Sequence, residues 1–175
     1  MPHDLLRTAV KGTVERSGVP VDKIDYTIGG TVIMEVKTSN VMREAALGAG
    51  LPITTPAHTV TMACISSNQA ITSGMGYIAA GAADVVLVGG VETMSDVPIR
   101  HSRAMRKHML EKGQKIKTTK DTINFIKPIV KNLGKFMTPE LPAIWEFSTG
   151  EIMGHSADRL AAAWGVSRND QGQFW

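Results

Sequence analysis

The stretch Thr59-Val60-Thr61-Met62-Ala63-Cys64-Ile65-Ser66-Ser67-Asn68-Gln69-Ala70 decides how the chain folds. Thr59 to Ala63 has the β-branched content of a strand, and Ser66 to Ala80 predicts a helix that Gly81 ends. Cys64 falls in the turn between them. A thiol is a useful nucleophile when ionised, and a helix N-terminus favours the thiolate through its unpaired N–H groups and positive dipole end. From such a turn the sulfur can project outward while the cysteine's own N–H faces the space where a substrate oxyanion would form. Spacing alone also allows an inert buried cysteine, since free Cys is among the most buried residue types.

Working outward, no charged residue occurs from Ala45 to Ala83. The stretch is too polar and glycine-rich for a membrane span but suits elements covered on both sides. A helix with no charge on any face is expected to be packed all round. Asp84 leads into Val85-Val86-Leu87-Val88, the short apolar run of an inner parallel strand. Upstream, Asp4 is read as the cap of a helix whose Leu5, Leu6, Ala9, Val10 and Val14 recur at helical spacing, with Gly18 and Pro20 ending it. Ile24 to Ile33 predicts a short strand bent at Gly29-Gly30, and Thr38, Ser39 and Asn40 are cap candidates for a helix through Ala49. Alternating helix and strand places the chain in the α/β class.

The character changes after Gly89-Gly90, and a boundary is expected near Pro98, giving units 1–97 and 98–175. Between Arg100 and Lys135 stand eleven Lys and Arg against Glu111 and Asp121, a surplus of nine positive charges in a chain whose net charge is +3. Such a block fits an anionic partner or a solvated basic loop. Ile123, Phe125, Ile126, Ile129 and Phe136 interleave with Lys120, Lys127, Lys131 and Lys135, and Pro128 is expected to break any continuous helix there. An apolar face favours an anionic membrane surface over nucleic acid. Helices are predicted from Ser102 to Leu110, from about Ile152 to Trp164, and after Ser167 to the end at Trp175. One cysteine excludes an internal disulfide framework and a cysteine-rich metal site, and it fits a reducing compartment. The first residues show neither a signal-peptide apolar core nor a transit pattern.

The wording around Cys64 resembles the nucleophile turn of thiolases, the acyl-CoA-cleaving acyltransferases. The resemblance continues through Gly89-Gly90-Val91-Glu92-Thr93-Met94-Ser95 and through Met153-Gly154-His155-Ser156-Ala157-Asp158-Arg159-Leu160-Ala161, followed by Gly165-Val166-Ser167-Arg168-Asn169-Asp170-Gln171. Three ordered motifs cover most of the chain. Ser95 to Arg103 and Glu140-Leu141-Pro142-Ala143 look most like the thiolases of mitochondrial long-chain fatty-acid β-oxidation.

The resemblance implies an αβαβα sandwich of two similar halves, with this chain supplying part of the N-terminal half and part of an inserted loop domain. It implies 3-ketoacyl-CoA and CoA as substrates and no permanently bound cofactor. It also implies a homodimer, a partner α-subunit and an inner-membrane surface. Cys64 takes the nucleophile role, with its own N–H as oxyanion donor, and Met153 and His155 sit where the family's loop domain approaches the acyl group. Glu92 is expected to be structural. None of His3, His58, His101, His108 or His155 stands in the motif of the family's activating histidine, and the second, acid-base cysteine and the oxyanion asparagine have no match. The chain is therefore expected to be incomplete and inactive alone. The alternatives are a non-catalytic truncated thiolase-like protein and a ketoacyl-synthase-type condensing enzyme, the latter disfavoured by Met153-Gly154.

Overall fold

A computed structural model describes residues 1–174, so the helix end expected at Trp175 lies outside the described residues. The chain divides into two compact units, Met1–Pro98 and Ile99 onward.

The first unit is a three-stranded parallel sheet with helices on both faces. Its elements are α1 (Pro2–Ser17), β1 (Tyr26–Gly30), α2 (Val41–Gly48), β2 (Ala57–Val60), α3 (Ser66–Ala79) and β3 (Val86–Gly90). The strand order is β2-β1-β3, and β1 pairs with both neighbours in parallel. Parallel neighbours need a crossover, and α2 and α3 supply the crossovers.

Each helix begins and ends for a local reason. Pro2 stands in the first turn of α1, where its missing N–H costs nothing, and Gly18 ends the helix at φ 67 in the left-handed region. Asp4 is not the cap the sequence pattern predicts; it lies inside the first turn, 3.0 Å from Arg7. Asn40 caps α2, its side-chain oxygen accepting the Arg43 N–H at 3.1 Å.

Leu6 and Val10 of α1 and Val41, Met42, Ala45 and Ala46 of α2 form one buried cluster with Ile24 and Leu51. Met42 and Ile28 are fully buried, and each contributes about 1.5–3 kcal/mol. Side chains alternate along β3 and the residue before it: Val85 and Leu87 join the α1–α2 cluster, while Val86 and Val88 lie under Gly74 of α3.

Gly29 and Gly30 do not mark a bend, because both belong to the regular strand β1. They serve as helix seats. A Cβ on Gly29 would stand 2.8 Å from the Met42 Cβ of α2, and one on Gly30 would stand 2.5 Å from the Ser67 nitrogen of α3. Successive strand residues face opposite sides, so the pair lets a helix approach closely on each face. The uncharged α3 is not packed all round in this chain. Ser66, Ala70 and Gly74 are buried, while Ile71, Met75 and Ile78 are exposed.

The second unit holds α4 (Arg103–Lys112), α5 (Thr119–Lys131), α6 (Leu133–Met137), α7 (Met153–Ala163) and α8 (Arg168–Gln173). Ser102 caps α4, and its hydroxyl donates to the Phe136 carbonyl at 2.9 Å. Capping boxes open α5 at Thr118/Asp121 and α8 at Ser167/Asp170. Pro128 sits inside α5 rather than ending it. The helix has only Ile129, Val130 and Lys131 after the proline, and the backbone N–H of Asn132 closes on the Pro128 carbonyl at 3.2 Å. Among the described residues no helix is long and apolar enough to cross a membrane.

Candidate active site

The turn carrying Cys64 starts earlier than the sequence pattern predicts, since β2 ends at Val60 rather than Ala63. Side chains take over from the ladder there. The Thr61 hydroxyl donates to the Thr31 carbonyl at 2.7 Å, and the Met62 N–H donates to the Ser66 hydroxyl at 2.8 Å. Ala63 then adopts φ 45, the left-handed region, where strand pairing cannot continue. The Ile65 N–H reaches the Met62 carbonyl at 3.2 Å, and the Ser66 N–H and hydroxyl both reach the Ala63 carbonyl, at 3.1 and 2.7 Å. Cys64 sits between these two tight turns, two residues ahead of α3, and it is exposed.

The start of α3 is pressed onto the sheet by glycines. Gly30 leaves space for the Ser66–Ser67 backbone, and a Cβ on Gly90 would collide with the Ser67 hydroxyl and lie 2.9 Å from the Gly30 carbonyl oxygen. Both glycines stand at the C-terminal ends of their strands, the end at which open parallel sheets bind ligands. The Cys64 turn is thereby held at the rim of the sheet.

Glu92 braces the same rim. Its carboxylate accepts the Val32 N–H at 2.8 Å and the Ile33 N–H at 3.3 Å, and the Val91 N–H donates to the Gly30 carbonyl at 3.0 Å. An acid holding two backbone donors in a turn is a structural group.

At the other end of β2, the Nδ1 of His58 lies 3.2 Å from the Tyr26 hydroxyl, and the Tyr26 and Tyr77 rings are 4.6 Å apart. The Tyr77 hydroxyl, together with burial, pushes the Tyr26 phenol up from its ordinary value. His3, the other histidine of the first unit, is 3.6 Å from Asp4. The contacts of these two histidines are with Tyr26 and Asp4.

Met153 and His155 both lie on α7 in the second unit and are exposed, Met153 to 75%. In the basic segment His108 is buried, its Nε2 is 2.8 Å from the Phe125 carbonyl, and its ring stacks on Phe125 at 4.7 Å and meets Phe136 edge-on at 5.3 Å. Phe125 and Phe136 are thus committed to the unit's own packing, and Ile123, Ile126 and Val130 form the exposed apolar stripe. Glu140 accepts from Arg106 at 2.6 Å and from the Arg103 N–H at 2.8 Å, and the guanidinium holds its carboxyl below the usual range. The burial of His108 is not legible in the sequence, because its apolar neighbours Phe125 and Phe136 are separated from it along the chain. Among the described residues no group of His, Cys, Asp and Glu is placed to hold a metal.

The profile of the thiolase N-terminal domain matches residues 1–174. The mitochondrial trifunctional enzyme subunit beta of Bos taurus is 61% identical over 174 residues, covering 99% of this chain and 36% of that protein. A probable 3-ketoacyl-CoA thiolase of Caenorhabditis elegans is 55% identical over 174 residues, covering 99% of this chain and 38% of that one. In structure, the Bacillus anthracis acetyl-CoA acetyltransferase superposes with a TM-score of 0.72 at 27% identity, over 98% of this chain and 38% of the other. The chain spans little more than a third of the length of these relatives. With an α/β fold on a parallel sheet, a cysteine at the rim of that sheet and a family match along its whole described length, the chain belongs to the thiolase family.

Proposed function

We propose that the chain provides the nucleophile-bearing part of a 3-ketoacyl-CoA thiolase of mitochondrial fatty-acid β-oxidation, with Cys64 as the group that accepts the acyl chain. The observation that carries this reading is the exposed Cys64 held two residues ahead of α3 by the Met62–Ser66 and Ala63–Ser66 hydrogen bonds. In the reaction the Cys64 thiolate attacks the 3-keto carbon. The bond between carbons 2 and 3 breaks, its electron pair passes to carbon 2, and protonation there yields acetyl-CoA. The shortened acyl group remains on the sulfur as a thioester, and the thiol of a second CoA then attacks that carbonyl and regenerates Cys64. The N–H of Cys64 serves as one oxyanion donor.

Residues 1–97 act as part of the catalytic N-terminal domain and residues 98–175 as part of the loop domain, where Met153 and His155 approach the acyl group. CoA and acyl-CoA are substrates, and no cofactor is bound permanently. The activating base and the proton donor are not among these 175 residues. Each such group contributes a factor of about 100 to 10,000, so the chain alone does not complete thiolysis. The high identity to mitochondrial trifunctional enzyme beta subunits supports an α-subunit partner and a mitochondrial location, and a homodimer belongs to the same proposal. The lysine-flanked apolar stripe of α5 supports contact with an anionic inner-membrane surface.

The test is acyl transfer to the chain. Incubated with a 3-ketoacyl-CoA or acetyl-CoA, the protein should gain the mass of one acyl group, on the peptide containing Cys64, and Cys64→Ser should gain none. An adduct equal in both proteins, or one carried on a peptide without Cys64, removes the nucleophile assignment and leaves a non-catalytic thiolase-like protein.

A further inference from the structure

The Cys64 turn contains a conformation that its own residue does not favour. Ala63 has φ 45, and it is the one non-glycine residue with a positive φ among the described residues. Alanine resists that region because its Cβ crowds the backbone, so the turn persists only if neighbouring contacts hold it. One side chain makes both contacts. The Ser66 hydroxyl accepts the Met62 N–H at 2.8 Å on one side of Ala63 and donates to the Ala63 carbonyl at 2.7 Å on the other. Ser66 is 4% exposed, so its own hydroxyl is spent on these two bonds, and Gly30 leaves room for its backbone against β1. Cys64 lies between the clamped carbonyl and the clamping residue.

We propose that Ser66 is a positioning residue for Cys64: its buried hydroxyl staples the left-handed Ala63 turn and so holds the sulfur at the N-terminus of α3. This deepens the nucleophile reading and rests on it. Without the hydroxyl, the Met62 N–H loses its partner and the Ala63 carbonyl keeps only the Ser66 backbone N–H at 3.1 Å, so Ala63 relaxes toward negative φ. That rotation carries Cys64 away from the helix end. Ser66 takes no part in bond making; it acts through the backbone of its neighbours.

The inference has a specific genetic signature. If Ser66 acts by holding Ala63 at positive φ, a glycine at 63, which occupies that region at no steric cost, makes the hydroxyl dispensable. The experiment measures the rate of Cys64 alkylation by iodoacetamide in the whole chain, alongside the far-UV circular dichroism of each variant. The native chain should react faster than the same chain unfolded in urea. Ser66→Ala should lower the native rate about tenfold, the effect of a barrier rise near one power of ten. Ala63→Gly alone should react like the native chain, and Ala63→Gly with Ser66→Ala should recover to within about threefold of it. A variant that only loosens the fold would lose circular dichroism and would not be rescued at position 63. Equal rates for the native chain and Ser66→Ala, or a loss that Ala63→Gly does not restore, overturn the positioning role while leaving the nucleophile reading intact. A native rate no faster than that of the unfolded chain overturns the nucleophile reading itself.

Discussion

The Glu92 carboxylate accepts the Val32 N–H at 2.8 Å across sixty residues of sequence, joining the segment that leaves β3 to the segment that leaves β1. The bond lies just past the C-terminal ends of β1 and β3, at the rim that also carries the Cys64 turn. Glu92→Gln keeps an acceptor oxygen and should change stability by less than about 1 kcal/mol, whereas Glu92→Ala removes two hydrogen bonds to a charged acceptor and should cost about 1–3 kcal/mol. Urea unfolding of both variants checks the split. A Gln variant as damaged as the Ala variant would point to a role for the charge itself.

Gly30 and Gly89 face different surroundings although both lie in the sheet. Gly30→Ala forces a methyl against the Ser66–Ser67 backbone and should destabilise by about 3 kcal/mol or more, at the upper end of overpacking costs, while also disturbing Cys64. Gly89 has open space around its absent Cβ, so Gly89→Ala should stay within about 1 kcal/mol of the native chain. Thermal melts of the two variants, with Cys64 alkylation as a second reading, test the contrast.

Asp25 ties the loop before β3 to the start of β1, its Oδ2 accepting the Asp84 N–H at 2.8 Å and the Val85 N–H at 2.9 Å. The Val85 and then the Asp84 hydrogen bond hold its carboxyl below the ordinary 3.8. A folded-state value below the unfolded one gives stability that is complete above about pH 4 and is lost as pH falls through the lower folded value. Asp25→Asn should therefore lower the melting temperature at pH 7, and the gap should narrow as both proteins are taken below pH 3.8. A gap of constant size across that range contradicts the charge-based account.

The exposed stripe Ile123, Ile126 and Val130 on α5 is bordered by Lys120, Lys127 and Lys131, with Lys135 following in α6. Each lysine adds up to about 1 kcal/mol near an anionic leaflet. Replacing all four by glutamate should abolish flotation with cardiolipin-containing vesicles, measured on a folded assembly so that an unfolded chain cannot mimic binding. Flotation that survives the replacement rules out the membrane contact.

Local chemistry made much of the fold legible. Gly18, Asn40, Ser102 and Ser167 terminate or cap helices where their side chains or backbone freedom predict. The misreadings share a cause, because each depended on a contact made elsewhere. The strand through Ala63 stops at Val60 because Ser66 captures the Met62 N–H, which no periodicity encodes. Gly29-Gly30 looks like a breaker, yet its purpose becomes visible only with Met42 and Ser67 packed on either side. Pro128 follows more than two turns of helix nucleated by the Thr118–Asp121 box and is tolerated near the end. Of the site, the position of Cys64 at a strand-to-helix turn was readable, whereas the staple by Ser66 was not, since a serine at the first turn of a helix signals capping in general.

The two glycines of β1 make that strand a ruler as well as a spacer. Removing one residue between Tyr26 and Gly29 would bring Thr31 to the place where Ser66 and Ser67 must sit, and adding one would bring Ile28 to the place where Met42 of α2 must sit. Substitutions elsewhere in β1 alter how well it packs, but a change in its length displaces a helix. Length variation among related chains should therefore collect in the loops on either side of β1 and leave the strand itself untouched.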